Sequence, residues 1–157
     1  MEEIHSVAAF ITWSDERRLG IDTLDNQHRL LADCINRLVD ECRQAENDSP
    51  ENKLKHEEVL ARLIDELYAT TKNHFNHEEA LMRKENYPSY ATHAREHLML
   101  LAELKATVGN GLKVDCASLN QDILNSLKSW LIAHVSHSDR DFADFLLEKH
   151  RAQTTAL

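Results

Sequence analysis

The scarcity of glycine and proline is the feature that most restricts what this chain can fold into. It has three glycines and two prolines among 157 residues, whereas average usage would place about 19 in a chain this long. Sandwiches, barrels and doubly wound sheets need many turns rich in these residues, so the composition disfavours them. We therefore expect one domain, residues 1–157, built from a few long helices around a buried core.

Four amphipathic segments carry apolar residues at helical spacing; in the third these are Leu98, Leu101 and Leu104. Three turns separate the segments, at Ser49-Pro50-Glu51, at Asn86-Tyr87-Pro88 and between Gly109 and Ser118. The predicted elements are an N-terminal arm over 1–21 and helices over about 23–46, 51–85, 89–108 and 119–149. Short connections favour antiparallel neighbours, so the sequence predicts an all-α fold, an up-down-up-down four-helix bundle.

Charge and hydropathy exclude several classes of partner. The formal net charge is −9 and no basic patch is present, so nucleic acid and anionic membranes are poor candidates. No apolar run approaches the roughly 20 residues of a spanning helix, and the N-terminus lacks a signal peptide's positive region. The three cysteines are an odd number without CxxC spacing, which indicates free thiols. These features together predict a cytoplasmic protein.

The ten histidines are not scattered with respect to the predicted turns. In an antiparallel hairpin, residues equidistant from the turn lie at the same height. Three pairs of residues on successive helices each have their midpoint at one of the three turns. The pairs are His28 with His74, Glu78 with His93, and His97 with His134. The sequence therefore predicts that these six side chains lie near one level of the bundle.

Five histidines and a carboxylate converging inside a bundle are costly to bury without partners. Any one of them could instead be exposed or satisfied by hydrogen bonds, but four helices would have to share that coincidence. Imidazole and carboxylate ligands suit iron, manganese or zinc, and bundle cores commonly hold two such ions. A site without cysteine ligands argues against iron–sulfur chemistry.

These residues stand within a longer series of motifs. In chain order they are Trp13-Ser14, Leu19-Gly20-Ile21, Leu24-Asp25-Asn26-Gln27-His28, His74-Phe75-Asn76-His77-Glu78-Glu79, Tyr87-Pro88, His93 with His97, Trp130-Leu131 and His134-Val135-Ser136-His137-Ser138-Asp139. In this combination the chain resembles the hemerythrin family over nearly its whole length, in the single-domain bacterial form called bacteriohemerythrin.

The resemblance implies a non-haem di-iron centre inside the bundle, two Fe ions joined by an oxo or hydroxo bridge. Carried over residue by residue, it assigns one iron to His93, His97 and His134, the other to His28 and His74, and bridging roles to Glu78 and Asp139. By this count only the second iron keeps an open coordination position. The resemblance places dioxygen there.

The function that the resemblance implies is reversible dioxygen binding by a carrier, storage or delivery protein, not by an enzyme. Candidate walls of a dry pocket, one turn from the ligands, are Leu24, Leu31, Leu101, Trp130 and Leu131, which could equally be ordinary core. The alternatives are a di-iron enzyme that reduces peroxide or dioxygen or acts on nitric oxide, and an oxygen sensor. A protein that receives the dioxygen is not identifiable from the sequence.

The fourth predicted helix, over about 119–149, contains one spacing that an ideal α-helix does not accommodate. His134 and Asp139 are five residues apart, about 140° around a regular helix. If both side chains face the metal site, the helix must widen locally, and we predict a π-type turn there.

The other five histidines fall into two groups. His137, one turn beyond His134, either points to the surface or donates to bound oxygen, which would favour peroxidase-like chemistry. His77, beside Glu78, is also ambiguous, with a surface position favoured. His5, His56 and His150 are assigned no role.

Overall fold

The computed structural model describes residues 9–108, 119 and 121–155, and its described part contains helices and no strand. The α-helices are α1 (Asp22–Glu46), α2 (Lys53–Lys84), α3 (Tyr90–Val108), α4 (Gln121–His134) and α5 (Arg140–Thr155). A π-helical turn, Val135–Asp139, joins α4 to α5, so these two form the fourth long helix. Along the chain α1 packs against α2 and α2 against α3, and α4 returns to α1. The predicted four-helix, all-α fold is confirmed.

The helix boundaries differ from the predicted ones mainly at the far end of the chain. The fourth helix continues to Thr155 instead of ending near residue 149, because neither glycine nor proline follows to stop it. The second helix begins at Lys53, after a 3-10 turn over Pro50–Asn52, and not at residue 51. The predicted turn between residues 109 and 118 lies outside the described residues.

The second turn ends α2 where the sequence predicts. Asn86 adopts a positive φ of 55°, which asparagine tolerates better than most residues. The N–H of Tyr87 donates to the carbonyl of Met82 at 3.0 Å, which satisfies one of the last free carbonyls of the helix. The chain then re-enters a helix at Tyr90.

Two apolar clusters fill the bundle. They lie on opposite sides of the level that holds the buried histidines and carboxylates, which we call the polar level. The larger contains Leu31 and Leu67, whereas the smaller contains Leu24, Met82 and Phe142. On α1 the buried His28 lies between Leu24 and Leu31, so the polar level separates the two clusters. One predicted core residue is misplaced, because Leu98 is 71% exposed while Leu104 of the same helix is buried.

The described part of the N-terminal arm lies against the bundle, as predicted. Ile11 and Leu19 are buried, and the N–H of Ile11 donates to Asn36 Oδ1 at 2.7 Å. The buried carboxylate of Asp25 accepts the N–H of Leu19 at 2.7 Å and that of Gly20 at 3.1 Å. These bonds fix the entry of the chain into α1, just before the polar level.

Candidate metal centre

All seven residues that the sequence singles out lie in one cluster inside the bundle. They come from α1, α2, α3, the end of α4 and the π turn, and none is more than 5% exposed. Their nitrogen and oxygen atoms form two groups, within each of which the ligand atoms lie within 4.8 Å of one another. The first group is Glu78, His93, His97, His134 and Asp139; the second is His28, His74, Glu78 and Asp139.

Asp139 belongs to both groups because its two oxygens face opposite ways. Oδ2 lies 2.7 Å from His28 Nε2 and 3.3 Å from His74 Nε2. Oδ1 lies 3.0 Å from His93 Nε2 and 2.9 Å from His134 Nε2. The carboxylate thus presents one oxygen to each set of imidazoles.

Glu78 repeats this arrangement from the other side of the cluster. Its Oε1 lies 2.7 Å from His93 Nε2 and 3.3 Å from His97 Nε2, while Oε2 lies 3.5 Å from His74 Nε2. Two carboxylates are therefore shared between a group with three histidines and a group with two. Such shared carboxylates are the arrangement expected for a pair of metal ions.

The predicted π turn is confirmed, and it brings His134 and Asp139 together. The helix widens over Val135–Asp139, so that His134 Nε2 and Asp139 Oδ1 lie 2.9 Å apart despite their five-residue separation. In a regular α-helix the two side chains would diverge by about 140°. The π turn is therefore what brings Asp139 into the site.

Burial sets the protonation of several of these groups in the absence of a cation. Burial lowers the pKa of His74 to about 4 and that of His97 to about 2, which leaves their imidazoles neutral and able to ligate a metal. Burial and the neighbouring Asp139 raise the pKa of Glu78 well above its usual value. Burial opposes ionisation of Asp139 as well, yet His134 and the other imidazoles hold its pKa well below the usual range.

The donor set fits metal ions better than it fits a metal-free polar core. Among the described residues neither oxygen of Glu78 has a hydrogen-bond partner of acceptable geometry, although both are fully buried. A buried carboxylate without partners is costly, and a bound cation would supply the missing interaction. Neutral imidazole with carboxylate is also the ligand chemistry of iron, zinc and manganese.

Three polar residues that sequence reasoning did not single out hold the outer nitrogens of the histidines. His74 Nδ1 donates to Gln27 Oε1 at 2.6 Å and His97 Nδ1 to Glu79 Oε2 at 3.1 Å. The third acceptor is Glu96 on α3. It accepts from His134 Nδ1 at 2.9 Å, and this hydrogen bond lowers the pKa of Glu96 to about 2. Adjacency in sequence would have been misleading for both Gln27 and Glu96. Gln27 precedes His28 and Glu96 precedes His97, yet each accepts from a histidine of another helix.

An aromatic side chain covers the three-histidine group. The ring of Phe75 stacks on that of His97, with centroids 3.8 Å apart and planes 6° from parallel, and meets His134 edge-on at 5.3 Å. Of the proposed pocket walls, three are buried and two are half-buried. The buried ones are Leu24, Leu31 and Leu131, and the half-buried ones are Leu101 and Trp130.

The remaining histidines that the structure describes lie outside the cluster. His137 and His77 are both exposed, and His137 lines an open groove beside His134 instead of pointing into the buried site. Of the two alternatives for His137, the surface position is therefore the one that the structure shows. His56 lies at the far hairpin, His150 is exposed on α5, and His5 lies outside the described residues.

Two other expectations from the sequence concern membrane-spanning helices and the state of the cysteines. None of the described helices combines the length and the apolar character that a bilayer crossing requires. Cys34 carries a free thiol that is buried on α1, and burial raises the pKa of that thiol. Cys116 lies outside the described residues.

Comparison with known proteins agrees with this geometry. The sequence model of a family described as "Hemerythrin HHE cation binding domain" matches residues 19–146. A bacteriohemerythrin of Stenotrophomonas maltophilia is 28% identical over 139 residues, covering 87% of this chain and 81% of the relative. Myohemerythrin-1 of Phascolopsis gouldii is 31% identical over 127 residues, covering 81% and 87%.

A solved structure shows the same fold. The crystal structure of a leucine-to-alanine mutant of hemerythrin superposes with a TM-score of 0.65 at 23% identity, covering 87% of this chain and 97% of that one. At this identity the likeness concerns the fold alone.

Proposed function

The chain belongs to the hemerythrin family, and on that premise we propose that it binds dioxygen reversibly at a centre of two non-haem iron ions. The observation that carries the proposal is the pair of unequal ligand groups that share two carboxylates. The relatives named above, a bacteriohemerythrin and a myohemerythrin, support the same reading.

We assign the ligands by group. One iron would be held by His93, His97 and His134 and the other by His28 and His74, and Glu78 and Asp139 would be shared between the two ions. An oxo or hydroxo bridge would complete the centre, and the group with two histidines would then supply one ligand fewer than the group with three. Dioxygen is proposed to enter at the group with two histidines.

The chain's residues contribute a fixed and dry surrounding for this centre. When bound, two ferrous ions supply the two electrons that dioxygen needs for reversible binding. Gln27 and Glu79 orient two of the imidazoles through their outer nitrogens. The buried Leu24 and Leu31, one turn on either side of His28, keep water from the open side and slow irreversible oxidation.

The composition of the ligand set favours binding over oxidation chemistry. Five histidines and two carboxylates contrast with the four glutamates and two histidines of ferritin-like di-iron proteins. His137 is the one imidazole that the sequence suggested as a proton donor to reduced oxygen. Because it is exposed, it does not face the buried ligand groups. We therefore propose a carrier, storage or delivery protein in the cytoplasm that hands dioxygen to a protein still to be identified.

The test is a spectroscopic cycle on the iron-loaded protein. Iron is added anaerobically as Fe²⁺ and counted by elemental analysis, dioxygen is admitted while the visible spectrum is recorded, and dioxygen is then removed. The proposal expects two irons per chain and an oxygenated spectrum that disappears on removal and returns on readmission.

Other outcomes would identify the alternatives. Immediate, irreversible oxidation together with turnover of peroxide would instead indicate a di-iron enzyme, and consumption of nitric oxide would indicate a nitric oxide enzyme. A chain that holds no iron would overturn the proposal altogether. If dioxygen bound reversibly and its binding served only to change the activity of a second protein, the chain would be a sensor.

A further inference from the structure

Glu96 makes contacts that differ from those of the other residues around the centre. Its carboxylate accepts from His134 Nδ1 at 2.9 Å, and it also accepts from Ser138 Oγ, at 2.8 Å to Oε1 and 2.6 Å to Oε2. Gln27 and Glu79, by comparison, each hold one imidazole. One carboxylate on α3 therefore holds two side chains of the fourth helix.

These two side chains stand at opposite ends of the π turn. His134 is the last residue of α4, and Ser138 immediately precedes Asp139, the last residue of the turn. The residue that holds the turn belongs to α3, which also carries His93 and His97. The Glu96 carboxylate thus connects α3, which supplies two ligand residues, with the fourth long helix, which supplies His134 and Asp139.

We propose that Glu96 is a positioning residue that fixes the π turn, and with it His134 and Asp139, in the geometry that binds metal. This inference rests on the proposed metal centre and adds a residue that touches no metal itself. A π turn is a local exception to helical regularity, so the direction of Asp139 depends on contacts outside its own helix. A small rotation of the turn would move both Asp139 oxygens away from the imidazoles that they face.

The surroundings of Glu96 make this contact easy to perturb without disturbing the core. Its side chain is 38% exposed and borders an open groove of about 490 Å³ that Glu103 and His137 also line. Replacing Glu96 therefore leaves the apolar clusters untouched. Residues that orient metal-binding histidines typically change metal affinity by about 10- to 100-fold when they are removed.

The experiment compares four variants of the full chain by their affinity for Co²⁺, measured in competition with a coloured chelator. Glu96→Ala removes both contacts, Glu96→Gln keeps one acceptor oxygen, and Ser138→Ala removes only the contact with the turn. Glu103→Ala is the matched control, because Glu103 lies on the same helix and lines the same groove, away from the two ligand groups.

We expect Glu96→Ala to weaken Co²⁺ binding by about 10- to 100-fold, with Glu96→Gln and Ser138→Ala between it and the wild type and Glu103→Ala unchanged. The visible bands of bound Co²⁺ should shift in Glu96→Ala, because the imidazole and the carboxylate change direction. A merely structural role would lower the stability of the metal-free chain and leave those bands in place.

Two results would overturn the inference. The first is a Co²⁺ affinity of Glu96→Ala equal to that of Glu103→Ala. The second applies if Glu96→Ala fails to fold, and it is a wild-type Co²⁺ affinity in both Glu96→Gln and Ser138→Ala. Failure of the proposed function gives a different result. In that case the iron-loaded wild type would not bind dioxygen reversibly, while the order of Co²⁺ affinities among the variants would still hold.

Discussion

Asp139 Oδ2 lies 2.7 Å from His28 Nε2, although 111 positions separate the two residues in the chain. The contact joins the first long helix to the last, and it exists because the π turn carries Asp139 around to face the bundle axis. The second oxygen of the same carboxylate faces His93 and His134. Asp139 is thus, with Glu78, one of the two residues that belong to both ligand groups of the candidate centre.

Replacing the Asp139 carboxylate should remove one of the two metal ions that the proposed centre would hold. In Asp139→Asn only one side-chain oxygen remains, and it carries no charge, so it cannot serve both ligand groups. We expect Co²⁺ titration to give no more than one ion per chain, against two in the wild type. Asp141→Asn is the control, because Asp141 is exposed on the same helix. Two tightly bound ions in Asp139→Asn would contradict the bridging assignment.

The two ligand groups should respond differently to the loss of one histidine. His28→Ala leaves its group three donors, whereas His97→Ala leaves the other group four. We therefore expect His28→Ala to bind one Co²⁺ per chain and His97→Ala to bind two, one of them more weakly. The exposed His77→Ala variant should match the wild type. If His28→Ala and His97→Ala bound the same number of Co²⁺ ions per chain, the assignment of one ion to each ligand group would be contradicted.

The ring of Phe75 should stabilise the metal-free chain as well as the site. It is 1% exposed and stacks on His97 at 3.8 Å. Phe75→Ala should lower the free energy of unfolding by about 3–5 kcal/mol, because it leaves a cavity beside a buried imidazole. Urea unfolding without metal measures this, and Phe75→Leu, which refills much of the volume, should lose less. A Phe75→Ala loss within error of zero would mean that the neighbouring helices close the gap.

The hairpin between α1 and α2 should make stability depend on pH. His56 donates to Glu41 at 2.6 Å and to Asp48 at 2.8 Å. The bond to Glu41, and then that to Asp48, raises the pKa of His56, while the bond from His56 lowers the pKa of Asp48 to about 2.

The sign of the effect follows from these two directions. Because the pKa of His56 is higher in the folded state, its stabilisation is complete below the unfolded value of about 6.5 and is lost as the pH rises through the folded value. The contribution of Asp48 is present above its unfolded value of about 3.9 and is lost as the pH falls through about 2.

The urea midpoint of metal-free His56→Gln should therefore fall below that of the wild type at about pH 5.5 and approach it at about pH 9. His77→Gln, on the same helix but exposed, should show no such difference between the two pH values. A midpoint difference for His56→Gln that is the same at both pH values would refute the charged hairpin contact.

Much of the fold and of the candidate site could be read from spacing along the chain. The rise per residue of a helix is constant, so once Pro50 and Pro88 mark turns, the height of each histidine along the bundle follows. The same regularity showed where a helix must deviate from the α-helical form, because the five-residue separation of His134 and Asp139 does not place both side chains on one face of an α-helix. The π turn was predictable for that reason, and the structure contains it.

Rotation of a helix about its own axis was harder to infer. Leu98 shares an apolar spacing with Leu101 and Leu104, yet it is 71% exposed, because the stripe that α3 buries is set by His93 and His97. His137 lies one turn from His134, yet the widened turn leaves it on the surface. In both positions the neighbouring helices decide which side of the helix faces inward.

The sequence by itself determined which elements form and which residues meet at one height, because helical rise and turn chemistry are local properties. Only the tertiary structure decided which acceptor holds which imidazole. Glu96 stands next to His97 in the chain but accepts from His134 on another helix, while His97 donates to Glu79. Such pairings depend on how the helices are rotated and packed against one another, and that is a property of the whole bundle.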